Sequence, residues 1–284
     1  MANGINRSKP FTLDQARGML IGLAVGDALG TTLEFKPRGS FEPITDMVGG
    51  GPFNLKPGQW TDDTSMALCL AQMLRSANGW DAEDAMKRFV NWRDFGYLSS
   101  TGTCFDIGNQ TSDALDRFLR TGNPYAGPTD EAQSGNGGIM RLAPVVIAYG
   151  KHTESAVAVA QLQSRLTHAS RSCLSAAAAM AEFMCDGQGL SAPADPPQEA
   201  SGYVVHTLQA ACWAMTQGET FRDVLLAAVN LGSDADTVGA VAGQLAGRKF
   251  GYSGIPQNWR DLLHDHDKIL TAADDLYALK PIDV

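Results

Sequence analysis

Apolar residues recur every three or four positions along most of this chain, whereas the strict alternation of a half-buried strand is nearly absent. This periodicity predicts helices at Leu13–Leu29, Thr64–Asn78, Ala82–Asp94, Asn109–Thr121, Gly138–Tyr149, Thr153–Leu166, Arg171–Cys185, Gly202–Gln217, Phe221–Leu231, Thr237–Phe250 and Pro256–Ala273. The connections are short and rich in Gly, Pro, Asp and Ser, apart from two longer segments at 31–63 and 186–201. Since no change in composition follows the second of these, we expect one compact, orthogonal all-α domain over residues 1–284.

Two of the predicted helices carry glycine at every fourth position. The first helix has Gly18, Gly22, Gly26 and Gly30, and a later one has Gly239, Gly243 and Gly247. Each glycine inside a helix costs about 1 kcal/mol relative to alanine. Four-residue spacing places the glycines on one stripe, where a neighbouring backbone can approach closely. We therefore expect both stripes to lie at tight helix crossings.

Composition and charge exclude several classes of protein. With 44% hydrophobic and 19% charged residues, the chain can bury a sizeable core, and its formal net charge of -9 argues against a basic nucleic-acid groove. The five cysteines are scattered without a CxxC pair, which favours a reducing compartment. No apolar signal region begins the chain, and the apolar stretch Met19–Leu29 is too short to span a bilayer and carries Asp27. We expect a cytoplasmic protein without a membrane partner.

Two acidic clusters are the main candidates for chemistry, Thr61-Asp62-Asp63-Thr64 and Ser233-Asp234-Ala235-Asp236-Thr237. Either cluster alone is typical of a helix N-cap. Both, however, open an apolar helix, and together they offer four carboxylates and two hydroxyls, whose charge matches two divalent cations. These donors are hard oxygen atoms, which suit Mg²⁺ or Mn²⁺ better than Zn²⁺. The paired clusters therefore predict a dinuclear site at helix N-termini, able to activate water.

A second acidic run, His264-Asp265-His266-Asp267, is similar to the HD dyad of another class of helical metal phosphohydrolases. That class needs further histidines upstream, and neither His152 nor His206 has a matching acidic neighbour. We interpret the run as a charged, solvated helix face.

Four stretches of the chain, taken in order, carry a resemblance to a known family. They are GDALGTTLEF (26–35), WTDDTSM (60–66), GNGGIMR (135–141) and LGSDADTVGAVAGQLAG (231–247), supported by DIGNQT (106–111) and LTHAS (166–170). The chain resembles the ADP-ribosylglycohydrolases, including the bacterial dinitrogenase reductase-activating type, from about Arg17 to Tyr252. The family usually has glycine where this chain has Ser233.

The resemblance implies roles for individual residues. It implies metal ligands at Thr61, Asp62, Asp63, Asp234, Asp236 and Thr237, holding two divalent cations, Mg²⁺ or Mn²⁺. It implies catalytic roles for Asp106, Glu34 and Asp63, with Glu34 beside the cations or the distal ribose and Asp106 at that ribose. It implies substrate-binding roles for Asn136, Gly137, Gly138, Met140 and Arg141 at the diphosphate, and for His168 and Tyr203 near the nucleotide. Local reasoning leaves alternatives open: Asp106 and His168 as helix caps, and Tyr203 as a core residue.

The reaction that the resemblance implies is hydrolysis of the bond between C1 of the distal ribose and its acceptor, by a water that two metals activate. The expected partner is an ADP-ribosylated protein, with arginine as the favoured acceptor, or a small ADP-ribose conjugate. Two alternatives stay open: hydrolysis of serine-linked or O-acetyl-ADP-ribose, and a non-catalytic module that binds ADP-ribose. The complete acidic set argues against the second, because a degenerate member would be expected to lose ligands.

Overall fold

A computed structural model describes residues 10–281 of the chain, and helices form its whole framework. The helices are α1 (Leu13–Gly30), α2 (Asp62–Ala77), α3 (Ala82–Phe95), α4 (Asn109–Thr121), α5 (Gly137–Met140), α6 (Ala143–Tyr149), α7 (Thr153–Arg165), α8 (Arg171–Asp186), α9 (Val204–Ala214), α10 (Phe221–Val229), α11 (Ala235–Phe250), α12 (Gln257–Leu262) and α13 (His266–Ala278). Within the described range, β-structure is limited to two isolated bridges, Gly50 with Leu55 and Gly135 with Tyr203. The predicted all-α fold class is confirmed. None of the described helices is long and apolar enough to cross a membrane.

The predicted helix Gly138–Tyr149 is wrong in one respect, because it consists of two helices, α5 and α6. Pro144 lies in the first turn of α6 and has no N–H to donate to the carbonyl of Met140. The side chain of Gln244 replaces the missing helical bonds. Its Nε2 donates to the oxygens of Ile139 (3.1 Å) and Met140 (2.8 Å), and its Oε1 accepts from the N–H of Ala143 at 2.8 Å.

The predicted helix Pro256–Ala273 is likewise divided, into α12 and α13, and α13 continues to Ala278. The break lies at Asp265, whose φ of 54° is left-handed. Around the break, the His264 N–H donates to Gly58 O (3.0 Å) and His264 O accepts from Trp60 Nε1 (3.2 Å). This long-range contact supports the segment that leads into α2. No residue of the His264–Asp267 run lines the cavity that lies beside the two acidic clusters.

The two glycine stripes pack against each other, which confirms the expected tight crossing. Gly22 faces Gly243 and Gly26 faces Gly239, so α1 and α11 run antiparallel. A Cβ added to Gly22 would lie 2.3 Å from Gly243 O, and one added to Gly26 would lie 2.0 Å from Gly239 O. Only glycine allows the two backbones to approach this closely.

Helix α1 is the centre of the hydrophobic core. Every residue from Gly18 to Gly30 is buried, because other helices surround this segment on all sides. Asp27 is therefore a carboxylate inside the core, and the C-terminal end of α1 lies beside the start of α11.

Gly22→Ala should destabilise the fold by at least about 2 kcal/mol through overpacking, although alanine favours a helix by about 1 kcal/mol. Gly22 is preferred to Gly26 for this test because it is farther along α1 from Asp27. Urea unfolding would measure the change. Gly108→Ala is the matched control, since a Cβ there meets nothing within 4 Å, and it should change stability by about 1 kcal/mol or less. A Gly22→Ala protein as stable as the wild type would contradict this packing.

Candidate functional site

The two acidic clusters lie together at the starts of α2 and α11. Thr61 Oγ1 is 3.3 Å from an Asp236 carboxylate oxygen, and Thr237 Oγ1 is 3.5 Å from Asp63 Oδ2. Thr61 and Asp234 occupy the N-cap positions of the two helices, yet neither side chain makes a capping hydrogen bond. The clusters are therefore not ordinary helix caps.

Asp27 is a member of this group that sequence reasoning missed. Its Oδ1 accepts from the N–H (2.8 Å) and the hydroxyl (2.9 Å) of Thr61, and its Oδ2 accepts from the N–H (3.0 Å) and the hydroxyl (2.6 Å) of Thr64. The carboxylate is fully buried and holds the first turn of α2. An acidic residue inside the apolar run LAVGDALG was the available clue.

The carboxylates form two overlapping groups. Ligand atoms of Asp27, Asp63 and Asp236 lie within 4.8 Å of one another, and so do those of Glu34, Asp106 and Asp236. Asp236 belongs to both groups and therefore links the buried carboxylates to those that face a cavity. Two oxygens in the assembly, Glu34 Oε2 and Asp63 Oδ1, are buried without a hydrogen-bond partner among the described residues.

This concentration of acidic groups fits divalent cations. Burial and the neighbouring carboxylates raise the pKa of Glu34 to about 10 and that of Asp234 to about 8, and burial raises the pKa of Asp27 to about 6. The pKa values of Asp62 and Asp63 are raised well above the ordinary range for the same reasons. Cations would favour the ionised forms, and the donors are hard oxygens that suit Mg²⁺ or Mn²⁺.

A cavity of about 790 Å³ opens beside the acidic groups. Ten of the residues singled out from the sequence line it: Glu34, Asp62, Asp106, Asn136, Gly137, Met140, His168, Asp234, Asp236 and Thr237. Sequence reasoning missed others on the wall, namely Phe35, Pro37, Ile107, Gly108, Asn109, Gln110, Thr111, Gly135, Gly202 and Ser233. Part of the missed set lies in DIGNQT, where only the aspartate had been assigned a role.

Five of the singled-out residues do not line the cavity: Thr61, Asp63, Gly138, Arg141 and Tyr203. Thr61 and Asp63 are fully buried, so their side chains do not face the cavity. Gly138 packs on Ser164, whose Oγ would be 2.2 Å from an added Cβ. Tyr203 is partly exposed and packs edge-on against His206, which excludes the alternative of a core tyrosine.

Arg141 departs most from its expected role at the diphosphate. Its side chain is fully buried, and its guanidinium donates to Gln163 Oε1 (3.1 Å), Gln163 O (3.2 Å) and Thr167 Oγ1 (2.7 Å). It also lies over the ring of Phe89, 4.8 Å from the centroid. With its donors directed into the protein, Arg141 supports the cavity from behind.

Backbone strain is concentrated at the cavity. Three non-glycine residues on its wall have left-handed backbones: Phe35 (φ 61°), Asp106 (φ 60°) and Ser233 (φ 61°). Phe35 N–H donates to Ser233 O at 2.7 Å, and Ser233 N–H donates to Lys36 O at 2.8 Å. Backbone hydrogen bonds therefore link the strained segments at Phe35 and Ser233. Glycine adopts such a left-handed backbone without the strain that serine has at position 233. Strained residues of this kind are typical of functional sites.

The structure excludes the capping alternatives for Asp106 and His168. Gly108 is the N-cap of α4, and Ser170 caps α8 by accepting from the N–H of Cys173. Asp106 instead lies beside Glu34 and Asp236, and the same crowding raises its pKa strongly.

Asn136 connects the glycine-rich segment 135–140 to the acidic groups. Its Nδ2 donates to Asp234 Oδ2 at 2.7 Å and lies 2.9 Å from Thr207 Oγ1. The cavity therefore joins an acidic half to a half formed by the glycine-rich segment and His168.

Comparison with known proteins identifies the family. A family model of the ADP-ribosylglycohydrolases matches residues 8–189 and 184–282. The chain is 40% identical over 296 residues to the ADP-ribosylarginine hydrolase Tri1 of Serratia proteamaculans, covering 95% of this chain and 81% of that protein. It is 33% identical to the ADP-ribosyl-dinitrogen reductase glycohydrolase of Rhodospirillum rubrum, covering 96% and 99%. A solved structure, described as an ADP-ribosylglycohydrolase-related protein complex, superposes with a TM-score of 0.80 at 39% identity, covering 94% and 98%.

The chain belongs to the ADP-ribosylglycohydrolase family. This confirms the family expected from the four sequence motifs, and the chain is a glycohydrolase. The match to the solved structure extends the likeness to the whole arrangement of helices.

The raised carboxylate pKa values predict how the stability of this ADP-ribosylglycohydrolase depends on pH. Without cations, the folded protein binds more protons than the unfolded chain above about pH 4, so its stability should fall as pH rises toward the folded pKa values of about 6 for Asp27 and about 8 for Asp234. Saturating Mg²⁺ should reverse the loss by binding the ionised native state. Urea unfolding at pH 5 and pH 8, with EDTA or Mg²⁺, would measure both effects.

The variant Asp62→Asn removes one crowded charge and should flatten the decline. Asp113→Asn is the control, because that aspartate is exposed on α4. Equal stability of the EDTA-treated wild type at both pH values, unchanged by Mg²⁺, would refute the crowding argument.

Proposed function

We propose that this chain removes ADP-ribose from arginine side chains of modified proteins, by hydrolysing the bond between C1 of the distal ribose and the guanidinium. The observation that carries the proposal is the buried acidic group at the cavity, in a chain 40% identical to an ADP-ribosylarginine hydrolase. Two divalent cations, Mg²⁺ or Mn²⁺, would be held by Thr61, Asp62, Asp63, Asp234, Asp236 and Thr237. Cations bound there supply water of lowered pKa as the nucleophile.

The charge of the cavity favours arginine as the acceptor. Glu34 and Asp106, which are not assigned to the cations, line the cavity, and among the described residues no Lys or Arg side chain does. Bound cations would favour the ionised forms of these two carboxylates, and a guanidinium is attracted to ionised carboxylates. A serine-linked or acetyl-linked ADP-ribose has a neutral acceptor and gains nothing from this attraction.

We assign two carboxylates to the reacting bond. Glycosidic cleavage develops positive charge at C1, which the negative groups around it stabilise. We assign Asp106 to the distal ribose, where its carboxylate accepts a hydrogen bond and balances that charge. Glu34, beside Asp106, assists by hydrogen bonding or proton transfer. Asp63 is fully buried and does not line the cavity, so we assign it only to cation binding and not to the catalytic role that the resemblance implies.

The segment 135–140 and His168 are assigned to the ADP-ribose portion. Asn136, Gly137, Met140 and His168 line the cavity, and of these Asn136 also contacts the acidic half through its hydrogen bond to Asp234. These residues provide neutral groups beside the acidic half, which suits a ligand that carries both phosphate and ribose hydroxyls.

Asp106→Asn should retain the fold, cation binding and ADP-ribose affinity, while turnover falls by about 10²–10⁴-fold. Asparagine keeps the shape and tolerates the left-handed backbone, but it cannot accept a proton or balance the charge at C1. Calorimetry with ADP-ribose and the hydrolysis rate of the same preparation would separate binding from chemistry. The matched control is Asp113→Asn, the same change at an exposed position of the following helix. Turnover within a few-fold of wild type would return Asp106 to a structural role.

A substrate panel tests the acceptor. Arginine-linked, serine-linked and O-acetyl-ADP-ribose substrates would be assayed with Mg²⁺, with Mn²⁺ and with EDTA. We expect release of ADP-ribose from arginine, at least tenfold above the neutral acceptors, and its loss in EDTA. Faster release from a neutral acceptor would overturn the arginine assignment. ADP-ribose binding without release from any substrate would favour the non-catalytic module.

A further inference from the structure

His168 presents one ring nitrogen to the cavity and the other to the protein. Its Nδ1 is 2.8 Å from Thr167 Oγ1, whereas its Nε2 makes no hydrogen bond within residues 10–281 and opens toward the cavity that His168 lines. Burial and the nearby Arg141 lower the pKa of His168 to about 3, so the ring is neutral. A neutral imidazole carries one proton, and its position decides whether Nε2 donates or accepts.

The Thr167 hydroxyl decides that position. Thr167 is fully buried, and its oxygen accepts a hydrogen bond from Arg141 Nη2 at 2.7 Å. Among the described residues, the hydroxyl proton has one remaining neighbour that can accept it, His168 Nδ1. If Nδ1 carried the ring proton instead, the hydroxyl proton would be buried without an acceptor, which is costly. The network therefore places the ring proton on Nε2.

Arg141 gives the network its direction. A guanidinium has donors only, so it cannot accept from Thr167 and reverse the order of the hydrogen bonds. Its own position is fixed by both oxygens of Gln163 and by the ring of Phe89.

The imidazole is also fixed on its other side, by the glycine-rich segment. A Cβ added to Gly137 would lie 2.4 Å from His168 Cε1, and one added to Gly135 would lie 2.9 Å from Nε2. Gln110 holds the segment in place, donating to Thr167 O (3.2 Å) and accepting from the Gly135 N–H (3.3 Å). The ring is therefore fixed in both its orientation and its hydrogen-bonding pattern.

We propose that Arg141 and Thr167 are positioning residues that hold His168 as a neutral Nε2–H donor to an oxygen of the ADP-ribose portion of the substrate. The identity of the ligand rests on the proposed function. In this arrangement Arg141 acts on the substrate through Thr167 and His168, without touching it. A fixed donor needs no reorganisation when the ligand oxygen arrives.

Nitrogen-15 NMR of the imidazole rings gives a direct test, because the two neutral tautomers have different shift patterns. His168→Gln would assign the His168 signals among the five histidines. The wild type should show the Nε2–H tautomer from pH 5 to pH 8. Thr167→Ser keeps the hydroxyl and should retain that tautomer, whereas the isosteric Thr167→Val should lose it. A wild-type His168 in the Nδ1–H form, or in a mixture of forms, would overturn the proposal.

Calorimetry with free ADP-ribose and Mg²⁺ tests whether the Nε2–H donor of His168 contributes to the affinity for ADP-ribose. Thr167→Val should weaken binding by about tenfold, the loss expected for one hydrogen bond, and Thr167→Ser should restore it. Wild-type affinity in Thr167→Val would overturn the proposal. If Thr167→Val does not fold, the tautomer of the wild type and of Thr167→Ser still decides it.

The outcomes separate this proposal from the proposed function. A wild type with the Nε2–H tautomer and hydroxyl-dependent ADP-ribose affinity, but no release of ADP-ribose from arginine, would refute only the proposed reaction. Release from arginine by a wild type with the Nδ1–H tautomer would refute only the positioning role.

Discussion

The close contact between α1 and α11 is the constraint on which the site depends. Because glycines face each other along both helices, the backbones meet without intervening side chains. The helices run antiparallel, so the end of α1 lies beside the start of α11, and an added Cβ on Gly30 would lie 2.5 Å from Asp236 Cα. That closeness brings Asp27 near Asp236, and Asp27 in turn holds the first turn of α2. Residues far apart in the sequence thus become one acidic group.

The acidic group lowers the stability of the fold, and several features of the structure account for this loss. Its carboxylates are buried together, two of their oxygens have no partner among the described residues, and the helix starts lack side-chain caps. Phe35, Asp106 and Ser233 add left-handed backbones around the same cavity. Natural proteins break local rules of stability mainly where function requires it. The cost is therefore itself evidence that the cavity is a functional site, and divalent cations would offset much of it.

The two halves of the cavity differ in their charge. The acidic half concentrates negative charge, whereas the half around His168 is neutral and relies on fixed donors. Asn136 joins them through its hydrogen bond to Asp234. Arg141 is a buried cation that donates to Thr167 and does not line the cavity. A ligand that bridges the halves would meet cations at one end and hydrogen-bond donors at the other.

Local patterns in the sequence were sufficient to predict the all-α class, most of the helices, the glycine stripes and both acidic clusters, because periodicity and helix starts depend on residues close together in the chain. Tertiary structure alone decided which residues complete the site. Asp27 looked like an exception in an apolar helix until Thr61 and Thr64 were placed against it. Arg141 sits in the expected segment but turns inward to Gln163 and Thr167, and Gln244, distant in the sequence, supplies the hydrogen bonds at the break between α5 and α6. Such roles depend on which groups meet across the fold, and no local pattern records that.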